Sequence, residues 1–403
     1  MAEQQKSKEV SIKIVGLGSA GGRVVDSLAA LGFPANRFLA LDTDSEKLQH
    51  WQLAEKLQLG ESNRRGWSCS GDDSVGAACL RAAKNTLAGK LADTDLVLIV
   101  SGLAGGLGGG GAPVVAEIAA DAGALVVAVA IEPFDLEGLD AQAEEALQRL
   151  RGIADTVVCV PNQTVMDCQP NGASVPECFE AANNLILEAL LGIGRLLRTN
   201  GQMSIDFAHF HSLFAGQHAE SVLATLEVMG DSRPSALMDA ILRHPQLDAG
   251  KILGQTNGIV LCLSSGEDLP MDEVEDVVSH LRDAAPTAKV LLSVHSESGQ
   301  GDGLAALIMM PKPTDNITAD AGVAAPAKTD AEPVNRLEQI PVDSPPEIVT
   351  ETPPARPALW TAYQQQLPLI NISKGRFDKG EPTVFNGEDL DIPTYQRRNI
   401  VLN

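Results

Sequence analysis

The chain has 403 residues, enough for two domains with tails. With 44% hydrophobic but only 3% aromatic residues, its core must be built from Val, Leu, Ile and Ala, as in a globular α/β protein. A formal net charge of -23, with no basic patch interleaved with aromatics, argues against nucleic acid or an anionic membrane as a ligand. The six cysteines (Cys69, Cys79, Cys159, Cys168, Cys178 and Cys262) form no C-x-x-C pair and have no histidine cluster nearby, so they read as reduced, mostly buried thiols. The polar first ten residues carry no signal peptide, and no apolar run reaches the roughly 20 residues that span a bilayer. A cytoplasmic protein without direct membrane insertion is expected.

Residues 1–10 read as a disordered arm. Ser11–Gly16 is a predicted strand, Gly16–Gly22 a glycine-rich turn, and Arg23–Leu31 has helical spacing. Phe38–Asp42 is a second strand ending in an acidic residue. Leu96–Val100 and Leu125–Ile131 are continuous apolar runs, as in strands covered on both faces. Ala112–Ala122 reads as a helix between them, with Pro113 in its first turn. Thr156–Val160 is one more buried strand. Strands alternating with helices predict a parallel, doubly wound sheet. Pro176–Arg198 is a long helix with one apolar stripe. A second αβ region follows from Gly201 to Met310, with strands at Ile259–Leu263 and Ala288–Val294 and a helix at Met271–Ala285. Pro311–Pro357 is rich in Pro, Ala, Thr, Asp and Glu and cannot bury enough surface to offset ordering entropy, so it reads as a linker. Leu359–Asn403 regains aromatics and arginines, the composition of a partner-binding tail on a tether.

Two glycine-rich segments carry the chemistry. Gly16-Leu17-Gly18-Ser19-Ala20-Gly21-Gly22 follows a strand and opens a helix, where glycines let backbone N–H groups approach a phosphate. Taken alone it fits a dinucleotide site, and an NAD-dependent oxidoreductase using Gly16, Gly18, Gly21 and Asp42 is one reading. Ser101–Pro113 has seven glycines in 13 residues, again between a buried strand and a helix, and that reading leaves this second loop unexplained. No G-x-x-x-x-G-K-[ST] is present, so phosphate charge would be met by backbone dipoles, a metal ion and Arg23.

These segments resemble FtsZ, the bacterial tubulin-like cell-division GTPase, from about Ser11 to Met310 and again at the C-terminus. Ala104-Gly105-Gly106-Leu107-Gly108-Gly109-Gly110 matches the tubulin signature GGGTGTG, and Leu41-Asp42-Thr43-Asp44 resembles the family's Asn-Thr-Asp loop. Gly66–Gly76, Glu132–Gly138 and Pro161-Asn162 resemble further nucleotide-side loops, and Ala181–Asn184 the base-side start of the central helix. The resemblance implies a tubulin/FtsZ-like two-domain α/β fold. Its parts are an arm at 1–10, a GTPase domain at 11–175, a central helix at 176–200, a C-terminal αβ domain at 201–312, a linker at 313–358 and a tail at 359–403.

It further implies GTP/GDP bound by Gly18, Ser19, Ala20, Gly21, Gly22, Arg23, Ala104, Gly105, Gly106, Leu107 and Gly108, with Glu137 and Ala141 on the ribose side and Asn162, Asn183 and Asn184 on the base side. Mg2+ is expected as the nucleotide's counter-ion. Asp206 and His209, in Ser204–His209, match the N-x-D-x-x-D loop that completes hydrolysis on the next subunit of a head-to-tail homopolymer at the division site. The tail residues Leu390, Asp391, Ile392, Pro393, Tyr395, Arg397 and Arg398 match the peptide that docks on membrane-tethering and regulatory division proteins.

The chain departs from the family at several polar positions. Leu107 and Gly109 stand for threonines, Ser204 for Asn, His209 for Asp, Ala141 for Arg and Asn184 for Asp. Each loss of a preorganised polar group commonly costs about 10²–10³ in rate, so hydrolysis is expected to be weakened. A non-hydrolysing scaffold that co-assembles with an orthodox paralogue is the alternative reading.

Overall fold

The computed structural model describes residues 10–31, 37–53, 55–60, 66–169, 172–197, 202–230, 232–266, 269–296 and 303–312, together with 384–385 and 388–389. The arm, most of the linker and the tail peptide from Leu390 onward lie outside the described residues. Residues 353–403 form a separate unit, whose described part is a short antiparallel pair, Val384–Phe385 with Glu388–Asp389.

Ten strands form one sheet: β1 (Ile12–Leu17), β2 (Phe38–Asp42), β3 (Lys56–Gln58), β4 (Leu96–Gly102), β5 (Leu125–Glu132), β6 (Thr156–Pro161), β7 (Ala219–Val228), β8 (Gly258–Ser265), β9 (Lys289–Ser296) and β10 (Leu304–Pro311). Their order is β3-β2-β1-β4-β5-β6-β7-β10-β8-β9. The first six are mutually parallel, as the alternating strand and helix pattern predicts. β1, β2, β4 and β5 are buried almost throughout, because helices cover both faces.

One face is covered by α1 (Gly18–Ala30), α2 (Ser45–His50), α8 (Val175–Leu196) and α9 (Phe207–Phe214). The other is covered by α3 (Asp73–Ala82), α4 (Lys84–Leu91), α5 (Gly106–Asp121) and α6 (Asp140–Arg151). The single-turn α7 (Asn162–Asp167) follows β6. Beyond β7, α10 (Arg233–Arg243), α11 (Met271–Ala284) and the 3-10 segment Pro245–Gly254 pack with β8 and β10 around a third apolar cluster. α8 begins at a capping box, in which Glu177 accepts from the Ser174 amide at 2.6 Å and from its hydroxyl at 2.7 Å. Its 22 residues give a length of about 33 Å. Its apolar stripe covers residues from β6, β7, β8 and β10 alike.

Both glycine-rich segments differ from their sequence reading. α1 starts at Gly18 and not at Arg23, and α5 starts at Gly106 and not at Ala112. A glycine run suggests a loop because glycine disfavours helix. Here packing overrides that preference. A Cβ at Gly76 of α3 would overlap the Gly106 carbonyl oxygen, one at Gly110 would overlap the Asp73 carbonyl, and one at Gly106 would lie 2.6 Å from the backbone of Asp72. The glycines let α3 and α5 meet backbone to backbone. Gly76→Ala is therefore expected to destabilise the fold by about 2–3 kcal/mol, read as a lowered urea midpoint; an unchanged midpoint would show that the two helices have room to separate.

Candidate nucleotide site

The strand order reverses between β1 and β4, which pair in register from Ile12↔Leu96 to Leu17↔Ser101. The helices leaving their carboxyl ends, α1 and α5, turn to opposite faces of the sheet. A crevice at such a switch point is where doubly wound sheets bind ligands. It needs close approach here too: a Cβ at Gly21 would overlap the Val100 carbonyl, and one at Gly22 the Trp51 ring. Gly18, at φ +64, makes the turn into α1, and a Cβ there would stand 3.9 Å from that of Leu107 in the first turn of α5. The two glycine segments therefore adjoin.

Neither of these helix starts is capped by a side chain. By contrast Asp44, Asp72 and Asp206 cap α2, α3 and α9 with hydrogen bonds to backbone amides. Two uncapped N-termini side by side offer unsatisfied N–H groups and a positive dipole end to an anion. Unpartnered buried oxygens mark the same edge of the sheet: Asp42 Oδ2 ends β2, Ser101 Oγ lies near the end of β4, and Asn162 Oδ1 follows β6. Buried polar groups are normally paired, so these await a partner that the folded chain does not supply.

The predicted residues divide into two groups. Gly18–Arg23 occupy the first turns of α1, and Ala104–Gly108 the entry and first turn of α5. Glu137 is exposed in the turn after β5, where its carboxylate accepts from the Phe134 amide at 2.9 Å. Ala141 is exposed near the start of α6, and Asn162 starts α7. Asn183 and Asn184 are half-buried on α8; Asn183 lies one turn after Phe179, on the same face. Phe179 meets Phe134 edge-on at 4.9 Å and carries the Arg23 guanidinium 5.9 Å above its ring. Leu107 is buried, with Cδ1 toward Gly111 in the core.

Asp206 and His209 lie elsewhere. Asp206 caps α9 through Ala208 N at 3.0 Å, and His209 is exposed in its first turn. α9 leads into β7, whose first residue Ala219 pairs with Thr156 at the amino end of β6. Gly216 N donates to the Asp155 carboxylate at 2.7 Å, fixing the segment at that end. The segment that carries Asp206 and His209 is thus anchored, at the far end of α9, to the amino edge of the parallel strands, whereas the crevice lies at their carboxyl edge.

Sequence reasoning assigned no role to Lys47, Phe134 or Phe179. Lys47, in α2, donates to Ser19 Oγ at 2.7 Å. The glycine segments contain no lysine, but the fold delivers one from the next connection. Among the described residues no group of three His, Cys, Asp or Glu is placed to hold a metal, and no helix is long and apolar enough to cross a membrane. Four of the cysteines are buried, Cys159 is partly buried, and Cys168 is exposed.

Burial pushes the Asp42 carboxyl above its ordinary value of 3.8, against the opposing Asp44 amide and Lys47. The folded chain therefore prefers the protonated acid. This contribution is present below the unfolded value and is lost as pH rises through the folded one. In ligand-free protein, the stability of Asp42→Asn relative to the parent should therefore rise as pH is raised from about 4 to about 7. Parallel urea titrations check this, and a difference independent of pH would contradict it.

A sequence profile described as "Tubulin/FtsZ family, GTPase domain" matches residues 11–169. The cell division protein FtsZ of Coxiella burnetii is 27% identical over 394 residues, 97% of each chain. A solved FtsZ mutant from M. jannaschii superposes with a TM-score of 0.70 at 26% identity, covering 76% of this chain and 92% of that one. An empty FtsZ dimer from M. jannaschii gives 0.69 at 24% identity, covering 78% and 96%. The chain is thus similar to the tubulin/FtsZ family in sequence and in fold, with residues 11–169 matching the family's GTPase domain.

Proposed function

We propose that this chain binds GTP in the crevice between α1 and α5 and assembles head to tail as a cell-division filament, with hydrolysis completed in trans. The carrying observation is the pair of uncapped helix N-termini at the β1–β4 switch point. Triphosphate charge would be met there by backbone amides, and Phe134, Phe179 and Asn183 line the approach to α8 on the side where a base would lie. Mg2+ would arrive on the phosphates, its usual mode where no carboxylate cage exists; Ser101 Oγ and Asp42 Oδ2 are the chain's own oxygens at that edge.

The anchoring of the Asp206 segment at the amino edge of β6 supports a shared site. Stacking one subunit's α9 edge on the next one's crevice brings that carboxylate to a neighbour's nucleotide, where it can orient water. Turnover should be slow. Leu107 turns its side chain into the core where the family signature has a hydroxyl, and His209 replaces a carboxylate. We further propose that the chain works at the division site and that the tail Leu390–Arg398 is its attachment to tethering and regulatory proteins. The partly eroded hydrolysis loop also keeps the scaffold reading open, and co-sedimentation with an orthodox relative distinguishes it.

Gly105 is the sharpest probe of the crevice. It is exposed, has an extended backbone at φ -88 and ψ 132, and caps α5, so aspartate fits there. Gly106→Asp is less informative, because its side chain would strike the Asp72 backbone. Gly105→Asp should leave stability equal or raise it by a few tenths of a kcal/mol through capping. It should nevertheless weaken GTP binding by more than about a hundredfold, by setting a carboxylate against phosphate. Unchanged affinity would remove the crevice as the site. With the parent chain, GTP should drive sedimentation with slow phosphate release; absence of nucleotide binding would end this reading.

Asp206→Asn keeps the α9 cap but removes the charge. Phosphate release should fall by about 10²–10³ while polymer still forms. Mixing it with Gly105→Asp should restore part of the turnover, because one variant holds nucleotide and the other brings the carboxylate. No recovery in the mixture would argue that each subunit works alone.

A further inference from the structure

The crevice is poor in side-chain donors where α5 begins. From Gly102 to Pro113 there is no basic residue and no hydroxyl, so that helix offers a phosphate chain only its backbone. α1 adds Ser19 and Arg23. Arg23 is already held: its Nε donates to the Ser19 carbonyl at 3.2 Å and its guanidinium lies over Phe179, turned toward α8. Among the described residues, Lys47 is a further cation at this edge. Its ammonium donates to Ser19 Oγ at 2.7 Å, within the first turn of α1.

Its other partner is weak. Asp44 lies 3.6 Å away, and that carboxylate already accepts the Glu46 and Lys47 amides at 3.1 and 3.3 Å as the cap of α2. The Lys47 side chain is 44% exposed, so little packing restrains it. An ammonium has three donors, and an anion docked on the α1 N-terminus would meet it with a charge-assisted hydrogen bond.

Building on the GTP-binding reading above, we infer that Lys47 is a nucleotide-binding residue, pairing with the phosphate chain in place of the side-chain hydroxyls that α5 lacks. As a point charge at the mouth of the crevice, it favours the more highly charged nucleotide. It also makes binding less dependent on Mg2+, because part of the phosphate charge is neutralised by the chain itself.

The test uses the full chain, fluorescent GTP and GDP analogues, and titrations with Mg2+ or with EDTA. Lys47→Gln should weaken GTP binding in EDTA by about ten- to a hundredfold, with a smaller loss for GDP and a smaller loss when Mg2+ is present. Its affinity should fall less steeply with salt than that of the parent. Lys47→Arg, which keeps the charge, should recover most of the GTP preference, whereas a purely structural role for the lysine would not show this rescue. Equal GTP affinity for the parent and Lys47→Gln in EDTA, with the parent binding GTP normally, overturns this inference alone. Failure of the parent to bind either nucleotide overturns both this inference and the function it rests on.

Discussion

Two helices can begin side by side at the ends of adjacent parallel strands only if their first turns carry almost no side chains. The β1–β4 switch point meets that condition with backbone against backbone. Gly21 rests on the Val100 carbonyl, Gly106 on Asp72, and Gly76 on Gly106. Each contact is too close for a Cβ, so the glycines serve the protein's own packing first. Binding capacity follows from it: with the side chains gone, the uncapped ends of α1 and α5 face the same space. The crevice is thus a product of helix–helix and helix–sheet packing, and a larger residue in it threatens the fold before it reaches any ligand.

This ordering explains what the sequence could and could not disclose. β4 and β5 were legible because runs of five and seven consecutive apolar residues have only one comfortable place, a strand covered on both faces. The long α8 was legible from its apolar stripe. The starts of α1 and α5 were not, because a run of glycine argues locally for a loop, and only the neighbours, Val100 and Trp51 for α1 and α3 for α5, make helix the better choice. β7 was missed because Glu220, Ser221, Thr225 and Glu227 break its apolar pattern; Glu220 is satisfied instead by Arg151 at 2.9 Å and Lys312 at 2.7 Å.

At the candidate site, the two glycine segments were legible as places of close backbone approach, because such glycine density next to a buried strand marks contacts that side chains would block. Lys47 was not. In sequence it is the third residue of a short capped helix, and nothing local says which way it points. Its proximity to Ser19 is a property of β2 lying beside β1. The anchoring of the Asp206 segment at the amino edge of β6 is likewise topological, fixed by β7 running parallel to β6.

The ladder between β6 and β7 has one further consequence. Only three rungs join them, Thr156 to Val158 against Ala219 to Ser221. Past that point the strands part, and a wedge of about 300 Å³ opens, lined by Glu132, Cys159, Ser221 and Gln246 among others. The ten-stranded sheet therefore has a seam at its middle, stitched at the bottom and gaping at the top, with α8 as a splint along one side. Flexure of the molecule would concentrate at this seam, since turning one half against the other breaks few ladder hydrogen bonds and changes chiefly the width of the wedge.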